Sequence, residues 1–385
     1  MPIPFYQHDL GQAELDSVAD VLAGPMLTTG DTVARFETRF AEYLGRRHAL
    51  ALTSCTGGLH LALLALDIGP GDEVVTTPMT FVATATAILS AGAKPVFVDV
   101  ERGTGNLDAG RVEAALTDRT KAIMPVHLYG QMCDMRRLRA IADRHGLAIV
   151  EDAAHCIEGR RDGVGPGELA EAAAFSFYAT KNLTCGEGGA LVTDDRALFE
   201  RAKLLRLHGV TKTAIDRHKE GYSHWDMVLM GWKYNMSNIE AALLLPQFAR
   251  IDANLAKRER LAALYERLLP AIGAEVLTSH SNVVHARHVM PVLVPERDRV
   301  ISRLNAAGVG AVVNYRAIHL LSYFAEQYGY RPGAFPIAEH IGDHVMSLPF
   351  YPKLPESAVH EVVAALGTIL ADLGHAPAVG GRSVA

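Results

Sequence analysis

From about residue 56 to residue 207 the chain alternates short apolar runs with longer amphipathic stretches, and this rhythm limits the fold more than any other feature. The runs EVVTT, PVFVDV, KAIMPV and LAIVED are too short for helices and too evenly apolar for strands with one wet face. Between them lie FVATATAILSAG, DAGRVEAAL and MRRLRAIADRHG, whose apolar positions recur at helical spacing. Strands buried on both faces and separated by helices form a mostly parallel sheet covered on each side, an α/β architecture. EAAAFSFYA and ALVTD then read as two further strands.

The flanks fit around that sheet. Two helices precede it, around residues 11–22 and 33–44, and Thr56 stands where it can cap a helix through GGLHLALLAL. From Ser237 to about Leu269 the pattern is helical and interrupted by Pro246. Strand HVMPVLV, helix RDRVISRLNAAG, strand VGAVVNY and a last helix over residues 356–373 follow, an order suited to a smaller α/β domain reached through a connecting helix. The expected division is a large domain over residues 1–250 and a small C-terminal one, with the connecting helix, over residues 251–385. The tail GHAPAVGGRSVA is expected to fray.

Composition excludes several classes of partner. Lys and Arg total 37 against 43 Asp and Glu, with no basic block interleaved with aromatics, which argues against nucleic acid. The apolar segments stop well short of a membrane span. Four scattered cysteines without C-x-x-C spacing, and an N-terminus lacking a leader pattern, point to a reducing, cytoplasmic setting and no metal site.

Ligands of parallel sheets bind at the carboxyl ends of the strands. Glu151 and Asp152 end one strand, and Lys181 follows another of the same sheet. A lysine amine and a carboxylate so placed match the needs of pyridoxal 5'-phosphate (PLP), which takes an amine for covalent attachment and an acid against its ring nitrogen. Thr56, Gly57 and Gly58 at a helix start could cradle the phosphate, with the Ser176 hydroxyl added; the glycines are equally what a tight strand-to-helix turn requires. Phe81 and His155 could cover the two ring faces, or serve as packed core residues.

The segments SCTGGLHLALLALDIGPGDEVVTTPMTFVATATAI, LAIVEDAAHCIEG, FSFYATKNLTCGEGGALVTDD and GWKYNMSNIEAALLLPQF resemble, in order, the signature segments of the DegT/DnrJ/EryC1/StrS family of sugar aminotransferases. The likeness covers most of residues 52–248 and continues through NYRAIHL and MSLPFYPKL. It implies the PLP-dependent transferase fold type I and a homodimer with shared active sites. Residue by residue, it makes Lys181 the cofactor's attachment point, Asp152 the partner of the ring nitrogen and Phe81 the stacking aromatic. His155 lies on the other face, where many members carry glutamine. Phosphate contacts come from Thr56, Gly57 and Ser176, joined by Asn235 from the second subunit. SCTGG replaces the commoner SGTAA, and Cys185 stands where threonine is frequent, both small changes. Relatives that remove a sugar hydroxyl carry histidine in place of the lysine, so Lys181 implies transamination.

The stretch from Tyr315 to Leu354 resembles the part that closes over the sugar in members acting at C4 of UDP-linked 4-keto-6-deoxy-N-acetylhexosamines. The expected substrates are such a nucleotide-linked keto sugar and L-glutamate, with Tyr315, Arg316 and His319 near the sugar or its diphosphate. A dTDP- or GDP-linked sugar, or a 3-keto sugar, is the alternative; a non-catalytic relative is a remote one.

Overall fold

The computed structural model describes residues 2–212 and 224–375. Helices α1 (Gln12–Ala23) and α2 (Asp31–Leu44) lead into β1 (His48–Leu52) and α3 (Cys55–Ala65). Strands β2 (Glu73–Thr76), β3 (Lys94–Phe97), β4 (Thr120–Met124), β5 (Ala148–Asp152), β7 (Ala172–Ser176) and β8 (Gly189–Thr193) complete the main sheet, while β6 (Arg160–Arg161) lies outside it. The order across its seven strands is β1-β8-β7-β5-β4-β2-β3. Only β8 runs against its neighbours. The alternating pattern therefore produced the expected buried, mostly parallel sheet.

Two apolar layers hold it. On one face α3 packs on β5, β7 and β8; a Cβ built on Gly58 would lie 3.1 Å from the Ala174 Cβ, so glycine lets helix and sheet approach. On the other face Phe36 and Phe40 of α2 meet Phe175 and Phe177, three of the contacts edge-on with centroids 5.1–5.4 Å apart. Edge-to-face pairs of this kind add about 0.5–1.5 kcal/mol each beyond their burial.

A second sheet has three antiparallel strands, β9 (Glu275–Val276), β11 (Met290–Leu293) and β12 (Val345–Leu348), in the order β12-β11-β9. The pair β10 (Val283–Val284) and β6 stands apart. Helices Ile251–Leu268, Arg297–Ala306 and Glu356–Asp372 enclose an apolar cluster against the small sheet. The N-terminal segment ties into this body. Ile3 exchanges backbone bonds with Gly308 and Gly310, and Phe350 N–H donates to the Phe5 carbonyl.

Several local expectations need correction. Ser54, not Thr56, caps α3, its hydroxyl accepting the Gly57 N–H at 3.0 Å; both residue types suit a cap, and the chain turns two residues earlier than expected. The helix after β2 begins at Ala83, leaving Phe81 in the turn before it. DAGRVEAAL holds one four-residue turn, Ala109–Val112, then a 3-10 turn. Pro246 turns the long helix into a 3-10 stretch, Leu245–Arg250, because proline cannot donate to the helical ladder. VGAVVNY forms no ladder; it makes single bridges, Val309 with Ile3 and Val312 with Ser347. Most of the tail expected to fray, residues 376–385, lies outside the described residues.

Candidate active site

A cleft of about 500 Å³ opens at the carboxyl ends of β5 and β7, beside the N-terminus of α3. Asp152 ends β5 and is buried there. Its two oxygens are held separately: the Thr84 hydroxyl donates to Oδ2 at 2.7 Å and the Ala154 N–H to Oδ1 at 3.1 Å. Burial pushes this carboxyl up, against those two hydrogen bonds and the positive Lys181, which favour the ionised form. A cation placed against Asp152 would complete what the hydrogen bonds begin.

Lys181 sits in the loop that joins β7 to β8. The loop closes on itself, Phe177 N–H to Gly188 carbonyl at 2.9 Å and Cys185 N–H to Phe177 carbonyl at 3.0 Å. It is pinned on both flanks. Asn182 donates to the Glu158 carboxylate and to the Ala286 carbonyl, while Gln247 brackets the Thr184 backbone. Cys185 is a small buried side chain in this loop. The Lys181 amine, 3.4 Å from His288 Nε2, is lowered to about 8, by burial first, with Cys55 and Asp152 pulling the other way. An amine so placed is available as a nucleophile near neutral pH.

The structure brings Thr56, Phe81, Asp152, His155, Ser176, Lys181 and Tyr315 to this one cleft. Gly57 and Gly58 donate to the Ser54 hydroxyl and carbonyl, which leaves Cys55 and Thr56 as the helix-start amides without an intrahelical acceptor. Gly58 lets α3 pack close to Ala174, and its N–H, like that of Gly57, is already engaged within the chain. Asn235 does not line the cleft of its own chain; its amide donates to the Thr29 hydroxyl at 2.6 Å and its oxygen accepts from Lys233. Two expected substrate contacts are also elsewhere. Arg316 is exposed and outside the cleft lining, and His319 is buried in the 3-10 turn Ile318–Leu320, 3.0 Å from Glu339 and edge-on to Phe335. The turn carries the chain away from the cleft just after Tyr315.

Phe5, Thr84 and His288 belong to the site and were not anticipated. Nothing in local spacing marks Phe5, which arrives from the N-terminal segment. His288 stands at the head of the run HVMPVLV, and a histidine opening an apolar strand was the available signal.

A model of the DegT/DnrJ/EryC1/StrS aminotransferase family matches residues 8–367. The chain belongs to this family. SpsC of Bacillus subtilis, described as a spore coat polysaccharide biosynthesis protein, is 38% identical over 377 residues, which cover 96% of this chain and 97% of SpsC. Spr1654 of Streptococcus pneumoniae, solved in a PMP form and a PLP form, superposes with a TM-score of 0.91 for the former, at 29% identity, covering 96% of this chain and 100% of Spr1654. Helicobacter pylori PseC, an aminotransferase involved in the biosynthesis of pseudoaminic acid, gives a TM-score of 0.89 at 27% identity, over 97% of this chain and 100% of PseC. The fold is the PLP-dependent transferase fold type I, and the protein is a PLP-dependent sugar aminotransferase. The cleft suits that cofactor: a lysine amine, a buried carboxylate with no ion pair in hydrogen-bond contact among the described residues, and a hydroxyl-bearing helix start stand in one space.

Proposed function

We propose that this enzyme moves an amino group from L-glutamate to C4 of a nucleotide-linked 4-keto-6-deoxy sugar, most specifically a UDP-4-keto-6-deoxy-N-acetylhexosamine. One observation carries the chemistry: Lys181 and Asp152 share a cleft, the first with its amine lowered to about 8 and the second buried with only neutral groups bonded to it. PLP, when bound, supplies an electrophilic carbon for the amine and a ring that absorbs the electron pair left as a proton departs the donor's α-carbon.

The chain's own residues do the rest. In this reading Lys181 Nζ would anchor the cofactor and, once displaced by the donor, would take the α-proton and deliver it two atoms away, to the carbon on the far side of the transferred nitrogen. Asp152 faces the ring nitrogen and keeps it protonated. The Thr56 and Ser176 hydroxyls, with the Cys55 and Thr56 amides, hold the phosphate at the positive end of α3. Phe81 and His155 cover the ring, and Tyr315, whose ring stands 5.7 Å from Phe81 and 6.0 Å from His155, borders the space left for the sugar. The apolar walls Phe5 and Val289 suit a sugar that carries a methyl at C6.

The working unit in this reading is a homodimer, with Asn235 crossing to its partner's phosphate. Trp225, Met227, Val228 and Met230 are exposed along one short run, an apolar surface that a second copy would cover. Residues 1–250 and 251–385 form the cofactor-holding and closing parts. Among the described residues no helix is long and apolar enough to cross a membrane, and the four cysteines are unpaired, as suits the cytoplasm.

Two measurements test the reading. Borohydride should fix PLP on Lys181 and leave no adduct in Lys181→Ala; an adduct elsewhere in the wild type removes the assignment. A panel of UDP-, dTDP- and GDP-linked 4-keto sugars with a 3-keto isomer, each product mapped by proton coupling, tests the substrate. Better turnover of a dTDP or GDP sugar, or nitrogen at C3, rejects the UDP-linked C4 assignment and leaves the aminotransferase intact.

A further inference from the structure

Two imidazoles stack beside Lys181, and their hydrogen bonds assign opposite tautomers. His155 accepts the Tyr129 N–H at Nδ1, 3.2 Å, so the neutral ring carries its proton on Nε2 and donates it to the Tyr315 oxygen, also 3.2 Å away. His288 presents Nε2 to the Lys181 amine at 3.4 Å. An ammonium group only donates, so Nε2 accepts there and the neutral His288 ring carries its proton on Nδ1. The ring centroids lie 4.4 Å apart at 24°. Both rings stay neutral. Burial pushes each well below the usual imidazole range, and the Lys181 charge adds to it, joined at His288 by His155 and Arg258.

His288 also lines a second, polar chamber. This chamber, of about 20 Å³, has room for one water and is lined by Lys181, Asn182, Arg258 and His288 among others. Buried atoms of these same residues have no hydrogen-bond partner among the described residues: His288 Nδ1, Arg258 Nε and Nη1, and Asn182 Oδ1. One water in such a space accepts two hydrogen bonds and donates two, so it can accept from His288 Nδ1–H and one Arg258 N–H and donate to Asn182 Oδ1, which an apolar filling could not do.

We propose that His288 is a positioning residue for the Lys181 amine: its Nε2 accepts the amine's hydrogen bond, and a water shared with Arg258 and Asn182 holds the ring in the Nδ1–H form. The proposal rests on Lys181 being the reacting amine. A lysine on four methylenes samples many rotamers, and a fixed acceptor narrows them without adding positive charge to a site that already has Arg258. The acceptor also favours the protonated amine, as Asp152 and Cys55 do, against burial.

Nitrogen-15 spectra of histidine-labelled, cofactor-free protein, assigned with His288→Gln, should show His288 neutral, protonated at Nδ1 and bare at Nε2, between pH 6.5 and 8. The rate at which cofactor-free protein captures PLP, read as growth of visible absorbance, should rise with pH about a midpoint near 8. His288→Leu loses the acceptor and should shift that midpoint down by about one unit, a tenfold change in proton affinity. His288→Gln, with an amide oxygen to accept, should restore it. A proton on Nε2, a charged ring, or a midpoint unmoved or raised in His288→Leu overturns the proposal. Should the leucine variant not fold, the tautomer measured in unmodified protein decides. Failure of Lys181→Ala to abolish capture would sink the reading of Lys181 instead, a separate result.

Discussion

A carboxylate whose direct hydrogen-bond donors are all neutral is an unfinished ion pair, and Asp152 is held in that state by Thr84, Ala154 and the Cys55 thiol, with the Lys181 charge acting only through space. Asp152→Asn keeps the shape and removes the charge. Activity should fall roughly a hundredfold or more, the usual cost of losing an oriented electrostatic group, while borohydride still fixes PLP on Lys181; equal loss of attachment would point to misfolding. The stacked histidines make a second prediction. The unfolded chain binds protons on them below about pH 6.5, whereas folded His155 and His288 resist protonation, so the unfolded state holds more protons and stability falls as pH falls. Each contributes about 1.4 kcal/mol per pH unit below 6.5 until its folded value is reached. Urea unfolding of cofactor-free protein between pH 7 and 5.5 should show stability falling with pH, with His285, likewise lowered by burial, adding to the fall, and the fall should be smaller in His288→Gln; an unchanged profile in that variant would mean the His288 ring is not its source. Lys181 and Asp152 were legible because strand ends are marked in the sequence. His288 was less so: a histidine opening an apolar strand is its one local mark, and its relation to Lys181 spans 107 residues.

At the scale of elements, α3 works through its first turn. Ser54→Ala leaves the Gly57 N–H unbonded and should cost about 1 kcal/mol, with weaker retention of PLP on dialysis because the same turn supplies the free amides. Loss of stability with unchanged retention would separate the cap from the cradle. Gly189 explains why the turn lies where it does: a Cβ there would meet the Cys55 nitrogen and the Ser54 carbonyl carbon at 2.3 Å, so β8 and α3 approach only through glycine. Phe40→Ala should cost about 3–5 kcal/mol in urea unfolding, since Phe40 is fully buried and touches three other phenylalanines edge-on or stacked. The parallel strands were readable because burial on both faces makes them continuous apolar runs. VGAVVNY has the composition of a strand, yet it meets Ile3 and Ser347 only at single bridges, and such pairing depends on partners some 300 and 35 residues away.

In the whole molecule, a site shared between two copies should show complementation. Lys181→Ala and Asn235→Ala should each be inactive, and subunits mixed after partial unfolding should recover activity, because a hybrid contains one site with both native residues. Exchanged hybrids without activity would confine the site to one chain, and sedimentation of an active monomer would do the same. Charge and cysteine usage read from composition set broad limits on partners; the placing of Asn235, Arg316 and His319 needed the folded chain, since neighbours in sequence part company wherever a turn intervenes. The N-terminal segment has a bearing on how the enzyme is made. Phe5 forms part of the cleft wall, Tyr6 bonds to the Ala179 carbonyl, and Asp9 pairs with Arg250 at 3.1 Å, yet the segment is secured by Gly308, Gly310 and Phe350. These residues must therefore wait for partners some 300 positions later in the chain. The main sheet can assemble during synthesis, but the wall beside Lys181 closes only after residue 350 has emerged, so a truncated nascent chain would carry the lysine without the pocket that governs it.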